Sequence, residues 1–124
     1  MDESPNNALV TRAGGGEVLE FPWGRITWMA SRKLGNSAVM TFGRVTMRAS
    51  MSNPRHRHPN CDEILHLISG RIEHTLGAEK FRMEAGDMIS IPAGVWHQAR
   101  ALESGDAEMV IAFSSADRET ETES

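Results

Sequence analysis

RHRHPNCDEILHLISG, residues Arg55 to Gly70, places two histidines at alternate positions and a carboxylate five residues beyond the second. On an extended strand the side chains of His56 and His58 point to the same face. Pro59-Asn60 is a turn signal that sends the chain back antiparallel, so that Glu63 opens the return strand beside the two imidazoles. Past Glu63 both parities are apolar, with Leu65 and Leu67 on one face and Ile64 and Ile68 on the other. A strand of this kind is expected to be covered on both sides. The covers would be a second sheet on one side and a partner subunit on the other.

The same grammar extends along the chain. Short β-branched and apolar segments, each closed by Gly, Pro, Asn or Asp, predict strands over Glu17–Phe21, Arg25–Ala30, Val39–Met47, Glu63–Ile68, Arg71–Leu76, Lys80–Met83, Met88–Ile91, His97–Ala101 and Glu108–Phe113. No stretch has helical periodicity, and the fold class is all-β. In Val39–Met47 the alternation sets Val39, Thr41, Gly43, Val45 and Met47 inward. Residues 17–113 form the expected domain. Residues 1–16, ending in Gly14-Gly15-Gly16, and residues 114–124, SSADRETETES, offer almost nothing to bury and are expected to be flexible tails.

A second informative stretch is GDMISIPAGVWHQARA, Gly86 to Ala101. Gly86-Asp87 turns into a strand and Pro92-Ala93-Gly94 turns out of it, which places His97 at the start of the next strand, facing the interior reached by His56, His58 and Glu63. Three neutral imidazoles and one carboxylate suit one divalent transition-metal ion: Fe, Mn, Ni, Co or Zn.

These two stretches resemble the two sequence motifs of the cupin superfamily. The first family motif, G-x5-H-x-H-x3or4-E-x6-G, is met by His56, His58, Glu63 and Gly70, with Ser50 in place of the opening Gly. The second, G-x5-P-x-G-x2-H-x3-N, is met by Gly86, Pro92, Gly94 and His97, with Ala101 where Asn is usual. The resemblance spans about Val39 to Phe113. It implies an antiparallel jelly-roll barrel whose mouth holds the metal on His56, His58, Glu63 and His97, often assembled as a homodimer. Four protein ligands on an octahedral ion leave about two positions for a small-molecule ligand or substrate.

Isomerase, lyase, cyclase and dioxygenase chemistries all occur on this scaffold, so a metal-dependent enzyme acting on a small oxygen-bearing molecule is the leading expectation. A non-catalytic cupin that binds or senses a small molecule or sugar acid is the alternative. Choosing between them needs a proton-transfer group beside the metal. His74 is the best candidate: parity in RIEHTL sets Ile72, His74 and Leu76 on one face, which in the family lines the barrel, and an unperturbed pKa near 6.5 suits acid-base work. His66 has the opposite parity to Glu63 and is expected outside the pocket. Cys61 is expected as a small buried or loop thiol, Trp23, Trp28 and Trp96 as packing residues, and most of the eight Met as core filling. The absence of Tyr removes the phenol that some cupin lyases use as a base.

A net charge of -4 in 124 residues argues against nucleic-acid and membrane partners. Arg44, Arg48, Arg55 and Arg57 read as a solvated edge, with an anionic substrate as the other possibility. One cysteine, no long apolar run and an acidic N-terminus predict a cytoplasmic protein.

Overall fold

The computed structural model describes residues 9–124, and among these it contains strands and turns but no helix. The greater part of the expected N-terminal tail, residues 1–8, lies outside the described residues. No helix of the described chain is long and apolar enough to cross a membrane. The strands are β1 (Glu17–Phe21), β2 (Gly24–Ala30), β3 (Thr41–Met47), β4 (His56–Arg57), β5 (Glu63–Ser69), β6 (Arg71–Leu76), β7 (Glu79–Glu84), β8 (Met88–Ile91), β9 (His97–Ala101), β10 (Ala107–Phe113) and β11 (Glu121–Thr122). Every pairing is antiparallel. One sheet runs β1-β2-β3-β10-β5-β8 and the other β11-β4-β9-β6-β7, the two-sheet arrangement of a jelly roll.

Period-2 patterning decides what enters the space between the sheets. From the first sheet come Val45 and Met47 of β3, Leu65 and Leu67 of β5, and Met109, Ile111 and Phe113 of β10. Ile72, Met83, Ala99 and Ala101 come from the second. Burying each large apolar side chain contributes roughly 1.5–3 kcal/mol. Gly43 is required by a close approach: a Cβ there would stand 2.7 Å from Cε3 of Trp28, so its absence lets that indole lie across β3. Ser50, where the family motif has glycine, sits at a φ of 68°, in the left-handed region that glycine enters without a steric cost.

On β5 the outward Ile64 and Ile68 are 46 % and 51 % exposed, and no described part of this chain covers the face expected to meet a partner subunit. Two expectations need correction. Val39 is 71 % exposed and precedes β3 instead of belonging to its inward face. The C-terminal segment is no loose tail. Ala116 is buried, Asp117 pairs with Arg32 at 2.7 Å, Asn60 brackets the backbone at Asp117 and Glu119, and β11 adds to the edge of β4. Glu121 and Glu123 also pair with Arg57 and Arg55. The segment docks through its main chain and its charges, which hydrophobic patterning does not register.

Candidate metal centre and its cavity

The two sheets deliver different parts of one site. Glu63 opens β5 on the first sheet, where it pairs in register with Phe113 and Ile91. His56 and His97 face each other across β4 and β9 of the second sheet, and His58 follows β4 into the turn. One ligand atom from each of His56, His58, Glu63 and His97 can be chosen so that all lie within 4.8 Å of one another. His58, Glu63 and His97 are buried, and His56 is half-buried.

All three imidazoles are oriented by main-chain carbonyls. Nδ1–H donates from His56 to Pro54 O at 2.8 Å, from His58 to Glu119 O at 2.9 Å and from His97 to Val95 O at 2.9 Å. A carbonyl oxygen only accepts, so each Nδ1 carries a proton and each ring turns its Nε2 toward the centre. Nε2 of His58 and His97 and Oε1 of Glu63 are buried with no hydrogen-bond partner. The two Nε2 atoms lie 3.3 Å (His58) and 3.1 Å (His97) from Oε1 of Glu63. Acceptors aimed at one point are what a cation would satisfy, and the residues present fit a divalent metal ion.

The electrostatics agree. Burial lowers the His56 pKa to about 4, with the neighbouring His97 adding to the effect, which keeps the ring neutral and able to coordinate. Burial pushes the Glu63 carboxyl up, but His58 and His97 override it and hold the group at about 2, as a carboxylate.

In front of these residues lies a cavity of about 320 Å³, at the small end of the roughly 300–1,000 Å³ usual for ligand pockets. His56, His58 and Glu63 form its floor. Leu19, Phe21, Trp23, Ile26, Trp28, Ile111 and Phe113 make an apolar and aromatic wall, and Arg118, Thr120 and Thr122 enter from the C-terminal segment. Phe21 and Trp23 stack at 4.9 Å.

His74 faces the interior as its parity predicts, but at 1 % exposure it does not line the cavity. It stacks behind His97 with ring centroids 5.9 Å apart, and burial lowers its pKa to about 4. Its position is that of a ring supporting a ligand, without access to a molecule in the cavity. His66 points outward, within 3.2 Å of Gly86 O. Cys61 is buried and free, its thiol pKa raised by burial. Met47, Met83 and Met109 fill the core and no Met lines this cavity, whereas Met40 and Met88 are exposed. Trp96 stacks under the Arg57 guanidinium, 4.6 Å away. Trp23 and Trp28, read from sequence as packing residues, and Arg118, read as tail, are the wall residues that sequence reading missed.

The family model of the cupin domain matches residues 43–113. Over 73 residues the chain is 31% identical to "Polyketide synthase CurC" of Streptomyces cyaneus, a match covering 59% of this chain and 47% of that protein, so the chain spans about half the length of this relative. Among solved structures, KdgF from Halomonas sp. superposes with a TM-score of 0.70 at 24% identity, over 80% of this chain and 86% of its own. Bacillus subtilis oxalate decarboxylase, whose structure was described for its Mn(II) centres, gives 0.79 at 19% identity over 98% of this chain and 37% of its own. At such identities the two structures speak for the fold alone. The family match covers more than half of the sequence and takes in all four converging residues beside the jelly-roll topology, and the chain belongs to the cupin family.

Proposed function

We propose that this cupin is a metal-dependent enzyme acting on a small oxygen-bearing molecule, with one divalent transition-metal ion held by His56, His58, Glu63 and His97. The observation that carries the reading is the set of partnerless buried atoms, Nε2 of His58 and His97 and Oε1 of Glu63, beside a cavity that His58 and Glu63 line. Bound there, such an ion supplies Lewis-acid polarisation of a carbonyl or enolate oxygen or, in the case of iron, dioxygen chemistry. The protein's own contribution is to fix the tautomers of three imidazoles, to offset one positive charge with Glu63, and to exclude water with an aromatic wall. His74 acts as a positioning residue behind His97. Similarity to a polyketide synthase of Streptomyces cyaneus makes oxygen-rich polyketide fragments the first substrates to screen.

One observation favours the second reading, a cupin that binds or senses a small molecule without turnover. The cavity lining offers no titratable side chain besides the metal-centre residues and Arg118, so no free acid or base stands over a bound molecule.

Elemental analysis of protein purified without a His tag tests the metal reading. About one transition-metal ion per chain is expected, falling sharply in Glu63→Gln. Metal content unchanged in that variant would sink the four-ligand centre.

A further inference from the structure

The cavity contains one cation that nothing in the metal chemistry uses. Arg118 is half-buried, and its guanidinium carbon lies 4.3 Å from the Trp28 ring and 5.3 Å from the Phe113 ring. Nη1 donates to Oγ1 of Thr120, but Nε is buried with no partner. None of the ion pairs among the described residues includes it. Burial lowers its pKa, while nearby Glu63 and Cys61 act in the opposite direction, and a guanidinium keeps its charge at physiological pH.

A charged fork clamped on aromatic faces, with a buried donor to spare, is poised for a planar oxyanion. Its place in the cavity narrows the choice. Phe113 contacts Arg118 at 5.3 Å and, edge-on, His58 at 4.9 Å between centroids, so the cation and the floor face one small cavity. The remaining wall, Phe21 and Trp23 above all, is apolar. A phosphate dianion would call for more than one cation, whereas a carboxylate matches a single guanidinium in both charge and shape.

We infer that Arg118 anchors the carboxylate of the bound molecule, and that the ligands of this cavity are compact aromatic or conjugated carboxylic acids that direct a second oxygen toward the floor. The inference deepens the proposed function by naming a substrate class, and the carboxylate contact itself does not depend on a metal.

The test uses benzoate and its neutral isostere benzamide, followed through intrinsic tryptophan fluorescence, to which Trp23 and Trp28 of the cavity contribute, on full-length protein both metal-loaded and chelator-treated. Benzoate is expected to bind both forms, at least tenfold more tightly than benzamide. Arg118→Gln is expected to weaken benzoate by about 10- to 100-fold, the loss of a charge-assisted bond, with little effect on benzamide. Arg118→Lys should recover part of the affinity, because the charge returns without the fork. A thermal midpoint close to wild type in both variants shows that the loss is one of recognition. Benzamide binding as tightly as benzoate, undiminished benzoate affinity in Arg118→Gln, or no benzoate response up to about 10 mM would overturn the inference. A protein that binds benzoate through Arg118 yet takes up no metal would refute the metal centre alone.

Discussion

The cavity is enclosed by two regions of opposite character. Its floor comes from motif residues whose spacing is local: His56 and His58 are two apart, Glu63 follows one turn later, and the carbonyls of Pro54 and Val95 that orient His56 and His97 each lie two residues before their histidine. Its outer wall comes partly from the segment between Asp117 and Thr122, which reaches the site through contacts about 60 residues apart in sequence, such as Glu119 O with His58 and Asp117 O with Asn60. The floor offers the residues that could hold an ion, and the wall supplies Arg118, the one arginine or lysine among the described lining residues. The same small volume thus joins a centre specified by short-range geometry to a recognition surface specified by long-range docking.

Deleting the wall while keeping the floor is the strongest way to separate the two. Truncation after Ala116 retains the buried Ala116 side chain and the carbonyl contacts of Ser115 and Ala116, but removes Arg118, β11 and the carbonyl that fixes His58. Metal affinity, measured by chelator competition, is expected to fall by about 10- to 100-fold, the usual cost of losing a partner that orients a ligand. Circular dichroism is expected to retain the β signature.

A subtler perturbation acts behind the floor. His56 and His74 are both held near a pKa of 4 by burial, against 6.5 when exposed. In metal-free protein their contribution to stability is therefore complete above about pH 6.5 and is lost as the pH falls toward 4, because the unfolded chain takes up the protons first. His74→Leu removes one of these groups. Its unfolding free energy should decline between pH 7 and pH 4.5 by about 1–3 kcal/mol less than that of wild type, measured by denaturant titration of the chelator-treated proteins. An identical pH slope would show that His74 is not held neutral.

The smallest effect is expected at the rim. Glu121 and Arg57 pair at 2.7 Å while both are exposed to solvent. Glu121→Gln should cost less than about 1 kcal/mol, and the difference should vanish at high salt. A larger loss would mean that charge pairing, more than the β4–β11 ladder, holds the wall in place.

Sequence reading recovered the floor because its signals are of short range. Strand parity placed Thr41, Val45, Met47, Leu65 and Leu67 inward, and the turn at Pro59-Asn60 brought Glu63 back to His58. Parity also turned His74 inward, but it sets a face and not a depth, so it could not say that the ring would be fully buried, stacked on His97 and away from the cavity. The wall escaped for a different reason. From Asp117 to Thr122 there is no apolar residue, and the segment docks by backbone hydrogen bonds and by acidic side chains that meet Arg55 and Arg57. Such contacts become visible only once the fold brings the partners together. The basic cluster that sequence suggested for an anionic substrate is partly spent on this acidic segment, and the cation in the cavity is Arg118.

The three carbonyl anchors also imply an order of assembly. His56 and His97 obtain theirs from their own strand neighbourhoods, so those two tautomers are settled as soon as the local chain is extended. His58 must wait for Glu119, 61 residues downstream and beyond the last long strand. The third imidazole is therefore set only when the barrel has closed, and a metal ion arriving earlier meets a centre with one ring still free to turn. Full affinity is in this sense a report that folding has finished.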